Sequence, residues 1–460
     1  MPRLDEPDHL AEKLAPLLGD FLPRQRWFAG HEHPAAVSLT TLDRRDGDPA
    51  LAWYLVDAVD AAGDRATYQV VLGGRPSPSE RDFLQGKERV TVGELDGWIW
   101  YDALVDPELA LDVLNKVAPD ESATVARPLP VEQSNTSLVY DERLILKLFR
   151  RVHPEPNPDV EITDVLGEAG FPHVVPQLAE LRYEGADLAV VRQYLLGSTD
   201  AWNLAHTSLR DLLASGLPPE QAGGDFGPEA GTLGEVTGRL HLALADAFGT
   251  REVDPAAWLD GFRAQLTRLS AAAAEPGGGE EGEEKAAALV DVAAVDAVLT
   301  DLVTGVDPGP AFRIHGDLHL GQFLLADAGW FVLDFEGEPV RPVAERQVAS
   351  SPLRDVAGMV RSFHYAARTG LAEWGRDVDP ELVALSEAWE TRAVDEFWQA
   401  YQAVPGIDVL LPADTDDRRR ILRAFELDKA VYEVTYELAH RPDWVDIPVS
   451  AVRRTLALAS

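Results

Sequence analysis

The sequence predicts an α+β protein, strand-rich in its first part and mainly helical in its second, with a small hairpin embedded among the helices. Three observations carry this. Apolar runs separated by polar turns recur as far as Leu195. Beyond Gly197 the apolar spacing becomes helical, as in Gly231–Ala245, where Leu233, Val236, Leu240 and Leu244 share a face. Within that helical part, Phe323–Ala326 and Trp330–Phe335 flank a turn at Asp327–Gly329. A length of 460 residues leaves room for two to three domains, each able to bury a core.

Charge and composition narrow the function. The net charge of −37, from 41 basic and 78 acidic residues, repels polyanions and argues against non-specific binding to nucleic acid or an anionic membrane. No run of eighteen apolar residues occurs, and the opening MPRLDEPDHLAEKLAPLL reads as an acidic amphipathic helix, so a cytoplasmic protein is expected. The absence of cysteine excludes disulfides and thiolate zinc sites. Only six lysines are present, which gives weight to Lys147 and Lys429, both inside the segments discussed below.

Residues 1–103 are expected to form a separate α+β cap domain. After the first helix comes a basic and aromatic turn, Leu22–Gly30, then strand-like runs at 36–42, 50–59, 66–72 and 97–101 that suit an antiparallel sheet. Arg24, Gln25, Arg26 and Trp27 fit either a ligand contact or a structural role.

Residues 104–197 are expected to bind a nucleotide. Two strands, 138–140 and 143–149, flank the turn Asp141–Glu142, and Glu132–Ser137 (E-Q-S-N-T-S) precedes them. Backbone N–H groups there, with Ser134, Asn135, Thr136 and Ser137, can hydrogen-bond phosphate oxygens, although a polar hairpin turn explains the same residues. Lys147 sits at the centre of the apolar strand LILKLF, and a buried ammonium needs a partner. Glu161, on a helix started by Pro158 and Asp159, is the expected one. A near-continuous apolar strand, Leu188–Leu195, then leads to Gly197.

Residues 198–460 form the helical part. Ser270–Glu284, alanine then Pro-Gly-Gly-Gly then glutamates, cannot bury a core and is expected to be a flexible acidic loop. Within 312–339, Asp317 lies five residues before Gln322 and seventeen before Asp334. That spacing suits a catalytic loop followed by a metal-binding aspartate. One carboxylate accepts the proton of an attacking hydroxyl, while an amide oxygen and a second carboxylate hold Mg²⁺ against ATP phosphates. His315 would support the loop, and Arg354 and Asp355 on the helix at 351–368 would brace it. Tyr365 fits either a sugar contact or the core. Near the C-terminus Lys429, Tyr432, Glu433 and Tyr436 share one helical face, with Arg441 and Trp444 just beyond. Charge mixed with aromatics suits a sugar; a helix bridged by Lys429 and Glu433 at i,i+4 is the competing reading.

The HGDLHLGQ segment at 315–322, followed by Asp334, resembles the aminoglycoside-type phosphotransferases. Their H-G-D-x-x-x-x-N loop and following D-x-x aspartate are relatives of the protein-kinase catalytic and metal-binding motifs. Gln322 stands where they carry asparagine. With D-F-E-G-E-P at 334–339, Q-R-W-F-A-G at 25–30 and the C-terminal helix at 425–444, the chain looks like the actinobacterial maltokinases. The resemblance implies a bilobal protein-kinase-like fold with an added cap. It further implies ATP-dependent phosphorylation of maltose to maltose 1-phosphate, feeding α-glucan (glycogen) biosynthesis. By the same resemblance Asp317 would take the proton of the anomeric hydroxyl, Lys147 oriented by Glu161 would neutralise phosphate charge, and the backbone of Gln193, Tyr194 and Leu195 would meet adenine. Two rivals stay open. One is a kinase of the same fold acting on glucosamine, whose ammonium Glu426, Asp428, Glu433, Glu437 or Glu336 would receive. The other is a pseudokinase binding module. A monomer is expected, and an association with trehalose synthase is left undecided.

Overall fold

The computed structural model describes residues 9–457 apart from 31–32, 78–83, 85, 87, 130–133, 274–289, 339–340, 342 and 376–378. The chain divides into two compact units, residues 1–164 with 175–196, and residues 165–174 with 197–460.

The first unit holds two antiparallel sheets. One has the order β1-β2-β3-β5-β4, formed by Ala36–Arg45 (β1), Ala50–Val59 (β2), Arg65–Pro76 (β3), Thr91–Leu95 (β4) and Trp98–Asp102 (β5). Strands β2 and β3 read as almost unbroken apolar runs because both of their faces are covered. On one face Tyr54, Val56, Val70 and Leu72 meet Leu14, Leu18 and Phe21 of helix α1 (His9–Phe21). On the other, Leu51, Trp53 and Val71 join the core of helix α2 (Pro107–Val117) and the second sheet. Asp106 caps α2 by accepting from Glu108 N.

The second sheet has the order β10-β11-β8-β7-β6, from Ala126–Pro128 (β6), Thr136–Tyr140 (β7), Leu144–Leu148 (β8), Gln177–Tyr183 (β10) and Ala186–Gln193 (β11). The β7–β8 loop of three residues places Asp141 and Glu142 at φ 50° and 52°, a left-handed pair inside the turn that Arg143 N closes on Tyr140 O. No glycine supplies it; instead the Asp141 carboxylate accepts from Thr124 and Val125 N–H.

The segment expected as a cap shares its core with these strands. Arg151–Val152 (β9) pairs with β3, and the buried Gln69 amide satisfies three groups at once. It accepts from Trp53 Nε1 at 3.0 Å and donates to Phe149 O at 2.6 Å and Leu188 O at 2.5 Å. Helix α3 (Pro158–Glu168) follows.

The second unit is mainly helical: Ala201–Ser215 (α4), Gly227–Phe248 (α5), Ala256–Ala273 (α6), Val292–Val303 (α7), Leu353–Trp374 (α8), Pro380–Ala403 (α9), Thr415–His440 (α10) and Asp446–Ala457 (α11). Its core is aromatic, with Phe226, Phe363, Trp389 and Phe397 in mutual ring contact. The expected hairpin is present as Phe323–Ala326 (β13) and Gly329–Val332 (β14), edged by Thr199–Asp200 (β12). Most of the expected acidic loop, from residue 274 onward, lies outside the described residues. Among the described residues no helix is long and apolar enough to cross a membrane.

Candidate active site

The loop at 315–322 is held by one face of α8. Asp355 Oδ2 and Oδ1 accept from His315 N and Gly316 N, each at 2.9 Å. Ser362 Oγ, two turns on, accepts from Leu320 N at 3.0 Å. Between them Gly358 lies so close that a Cβ would stand 2.4 Å from Leu318 O, which leaves no room for any side chain. Burial raises the Asp355 carboxyl, but its bond to His241, the two histidines nearby and the Gly316 N–H together outweigh that and keep it below the usual carboxylate range. His241, given no role from sequence, therefore holds the brace; its other ring nitrogen meets Tyr401 Oη at 2.9 Å.

His315 supports the loop as expected. Its Nδ1 accepts from Asp317 N at 3.3 Å and its Nε2 donates to Leu333 O at 2.9 Å, which ties Asp317 to the residue before Asp334. Leu333 N donates to Gln322 O at 2.9 Å, so the hairpin register sets Gln322 beside the same residue. Asp334 stands at φ 59°, a left-handed conformation unusual for a residue with a side chain.

Asp317 is engaged from α10. Lys429 Nζ donates to Asp317 Oδ1 at 2.9 Å and to Glu338 Oε1 at 2.8 Å, above the ring of Tyr432. Glu338 also receives Arg341 and Arg354. Burial pushes Asp317 and Glu338 upward, but the Lys429 charge, joined by the two arginines at Glu338, holds both carboxyls below their ordinary values. Lys429 is itself raised well above the ordinary lysine value. The i,i+4 bridge from Lys429 to Glu433 considered from sequence gives way to this arrangement, because Glu433 is taken by Arg361, which contacts it through Nε at 3.1 Å and through Nη2.

The other residues singled out on this helix form a second cluster. Tyr365 Oη donates to Glu437 Oε1 at 2.9 Å, and Arg441 reaches the same oxygen at 2.9 Å. Tyr432 and Tyr436 stack, and Arg441 lies over both Tyr436 and Trp444. Glu426, one turn before Ala430, is pushed up to about 7 by burial.

In the first unit Lys147 Nζ lies 3.4 Å from Asp159 Oδ2, and Arg192 Nη1 reaches that oxygen at 3.1 Å. Asp159 was read from sequence only as a helix starter; Glu161, the expected partner, sits in the same first turn of α3. Of E-Q-S-N-T-S, Glu132 and Gln133 lie outside the described residues. Asn135 Nδ2 meets Ser134 Oγ at 3.3 Å, and Asn135 and Ser137 are buried. Thr136 Oγ1 accepts from Arg150 Nε at 2.8 Å. Arg150 is bound by Asp102 and lies 5.0 Å over Trp27, so Trp27 acts structurally here. Arg24 and Gln25 likewise hold the carbonyls of Thr91 and Arg89. At the end of β11, past Gln193, Tyr194 N donates to Arg143 O at 2.8 Å, Arg127 packs on the Tyr194 ring, and Leu195 follows. A cleft of about 470 Å³ lined by Phe28, Pro34, Asp60, Arg65 and Arg151 holds none of the predicted site residues.

Comparison with known proteins matches these parts to families. Residues 21–106 match the maltokinase N-terminal cap domain, and residues 125–373 match the phosphotransferase enzyme family. The chain is 33% identical over 357 residues to a glucosamine kinase of Streptacidiphilus jiangxiensis, covering 75% of this chain and 76% of the relative. It is 27% identical over 338 residues to a glucosamine kinase of Mycolicibacterium smegmatis (strain ATCC 700084 / mc(2)155), covering 72% and 80%. A solved glucosamine kinase (crystal form B) superposes with a TM-score of 0.65 at 26% identity over 95% of this chain and 97% of that one. Another, in complex with glucosamine, ADP and inorganic phosphate, has the same TM-score at 24% identity over 98% and 99%, which shows a shared fold. The family match takes in the loop around Asp317, its hairpin and its brace, as well as the strand of Lys147: the chain belongs to the phosphotransferase enzyme family, with a maltokinase-type cap ahead of that domain.

Proposed function

We propose that the protein transfers the γ-phosphoryl group of ATP to a hydroxyl of a small saccharide, with glucosamine as the acceptor of first choice. The observation that carries the chemistry is Asp317. It is held as a carboxylate by Lys429 on Oδ1, on a loop braced at three backbone points, and no described donor is assigned to Oδ2. That oxygen is the one able to receive the proton of an attacking hydroxyl. Lys147 would neutralise phosphate charge, with Ser134–Ser137 offering hydroxyl and amide groups to phosphate oxygens.

Gln322 and Asp334 would hold Mg²⁺. The donor set fits: an amide oxygen and a carboxylate are the hard ligands this ion takes, and the Gln322 backbone pairs with Leu333, the residue before Asp334. When bound, the ion supplies positive charge to the phosphates. The protein's own part is to align the hydroxyl, accept its proton and exclude water.

The glucosamine reading is supported by two curated relatives of that name aligning over nearly three quarters of the chain. Maltose is the second reading, favoured by the cap match over 21–106 and by D-F-E-G-E-P at 334–339. Radiolabelled ATP offered separately with glucosamine, maltose and glucose distinguishes them. Label on glucosamine is expected; label on maltose alone selects the second reading, and label on no sugar sinks both. Asp317→Asn is expected to lower turnover about 10²- to 10⁴-fold while sugar binding persists.

A further inference from the structure

His319 and the Gln322 amide face each other at the start of the hairpin, and their hydrogen bonding has one consistent solution. Gly321 N–H donates to His319 Nδ1 at 3.0 Å. That nitrogen therefore carries no proton, an imidazolium is excluded by the same contact, and the ring hydrogen resides on Nε2. His319 Nε2 stands 3.3 Å from the terminal amide of Gln322. A ring N–H cannot donate to an amide NH₂, but the oxygen and nitrogen of an amide are interchangeable by a half-turn that moves no heavy atom. Only Oε1 at this position makes a hydrogen bond.

We infer that His319 is the positioning residue for Gln322: its Nε2–H donates to Oε1, fixes the amide, and leaves the second lone pair of that oxygen for a divalent cation. The inference rests on the proposed role of Gln322 as a metal ligand. Glutamine has one more rotatable bond than asparagine, and a free amide at the end of three torsions would lose part of its metal affinity to rotamer entropy. A histidine three residues earlier, itself anchored by a backbone N–H at the start of the 3₁₀ turn Leu320–Gln322, removes that freedom.

His319 also caps that turn, so the test must separate the two roles. His319→Asn keeps a side-chain oxygen for Gly321 N–H, while its amide nitrogen stands where the ring has Cδ2 and falls short of the Nε2 position. The readout is the Mg²⁺ concentration that half-maximally tightens binding of a fluorescent ADP analogue, measured without sugar or turnover. His319→Asn is expected to raise it at least about 10-fold, the usual effect of losing an outer-shell partner. In a Gln322→Ala background the same change is expected to add nothing. If His319→Asn titrates like the wild type while Gln322→Ala is shifted, His319 is only a cap and the inference fails, with the metal reading intact. Shifts that add fully in the double variant also overturn it. Gln322→Ala titrating like the wild type overturns both.

Discussion

Lys429 is the charge common to both carboxyls of the proposed catalytic loop, because its ammonium bridges Asp317 and Glu338, which burial pushes upward. In the proposed transfer Asp317 would act as a base only when ionised, and its lowered value places that requirement in the acid range. Activity should therefore be present above the Asp317 value and fall as pH drops through it. Lys429→Met removes the cation, so the Asp317 value rises and the acid limb of the kcat/KM profile should move to higher pH. An acid limb that stays in place would remove Lys429 from this role. The variant should also unfold more easily, since Glu338 loses a buried partner. Sequence already pointed to Lys429 through its helical face, but toward a sugar. Glu338 and Asp428 were passed over as members of the network because their partners come from separate segments, 91 residues apart for Lys429 and Glu338 and 87 for Arg341 and Asp428.

Helix α8 works as a template for the loop, reading its backbone with Asp355, Gly358 and Ser362 from one face. Alanine normally stabilises a helix by about 1 kcal/mol relative to glycine. At Gly358 the sign should reverse, because the added methyl would meet Leu318 O at 2.4 Å and neither backbone can give way cheaply. Gly358→Ala is expected to lower kcat at least about 10-fold and to cost roughly 1–3 kcal/mol in denaturant unfolding. Gly261→Ala on α6, where a Cβ would meet nothing within 4 Å among the described residues, should instead stabilise. Equal behaviour of the two variants would remove the template role. Elements were the most legible level of the sequence: β2, β3, β7, β8, the hairpin and the helix at 227–248 all follow from apolar period and turn chemistry. Helix α2 carries a readable signal, Asp106 before Pro107 and an apolar face, yet it was absent from the sequence reading. The contact at Gly358 was not legible, since close approach of two backbones leaves no side-chain pattern.

At the scale of the whole molecule, the cap and the second sheet stand or fall together. Gln69 on β3 satisfies Phe149 O and Leu188 O on strands that come 80 and 119 residues later. Gln69→Leu would take these partners from Phe149 O and Trp53 Nε1, at about 1–3 kcal/mol each, while Leu188 O keeps the N–H of Phe149. A loss of a few kcal/mol of unfolding free energy, read as a lower urea midpoint, is expected, with one cooperative transition for the first unit; a separate melting of 1–103 would contradict the shared core. The cap was legible in its first helix and regularly spaced strand-like runs, and residues 21–106 match a cap domain, whereas the two-sided burial of β2 becomes visible only once the second sheet is in place. The reach of Lys429 has a consequence for synthesis. Its partner Asp317 lies 112 residues earlier, so the ribosome has made nearly all of the polypeptide before that ion pair can close. On the proposed reading a nascent chain lacks the charge that keeps Asp317 ionised, and a premature stop anywhere before codon 429 should yield a product that is inert however well its earlier segments fold.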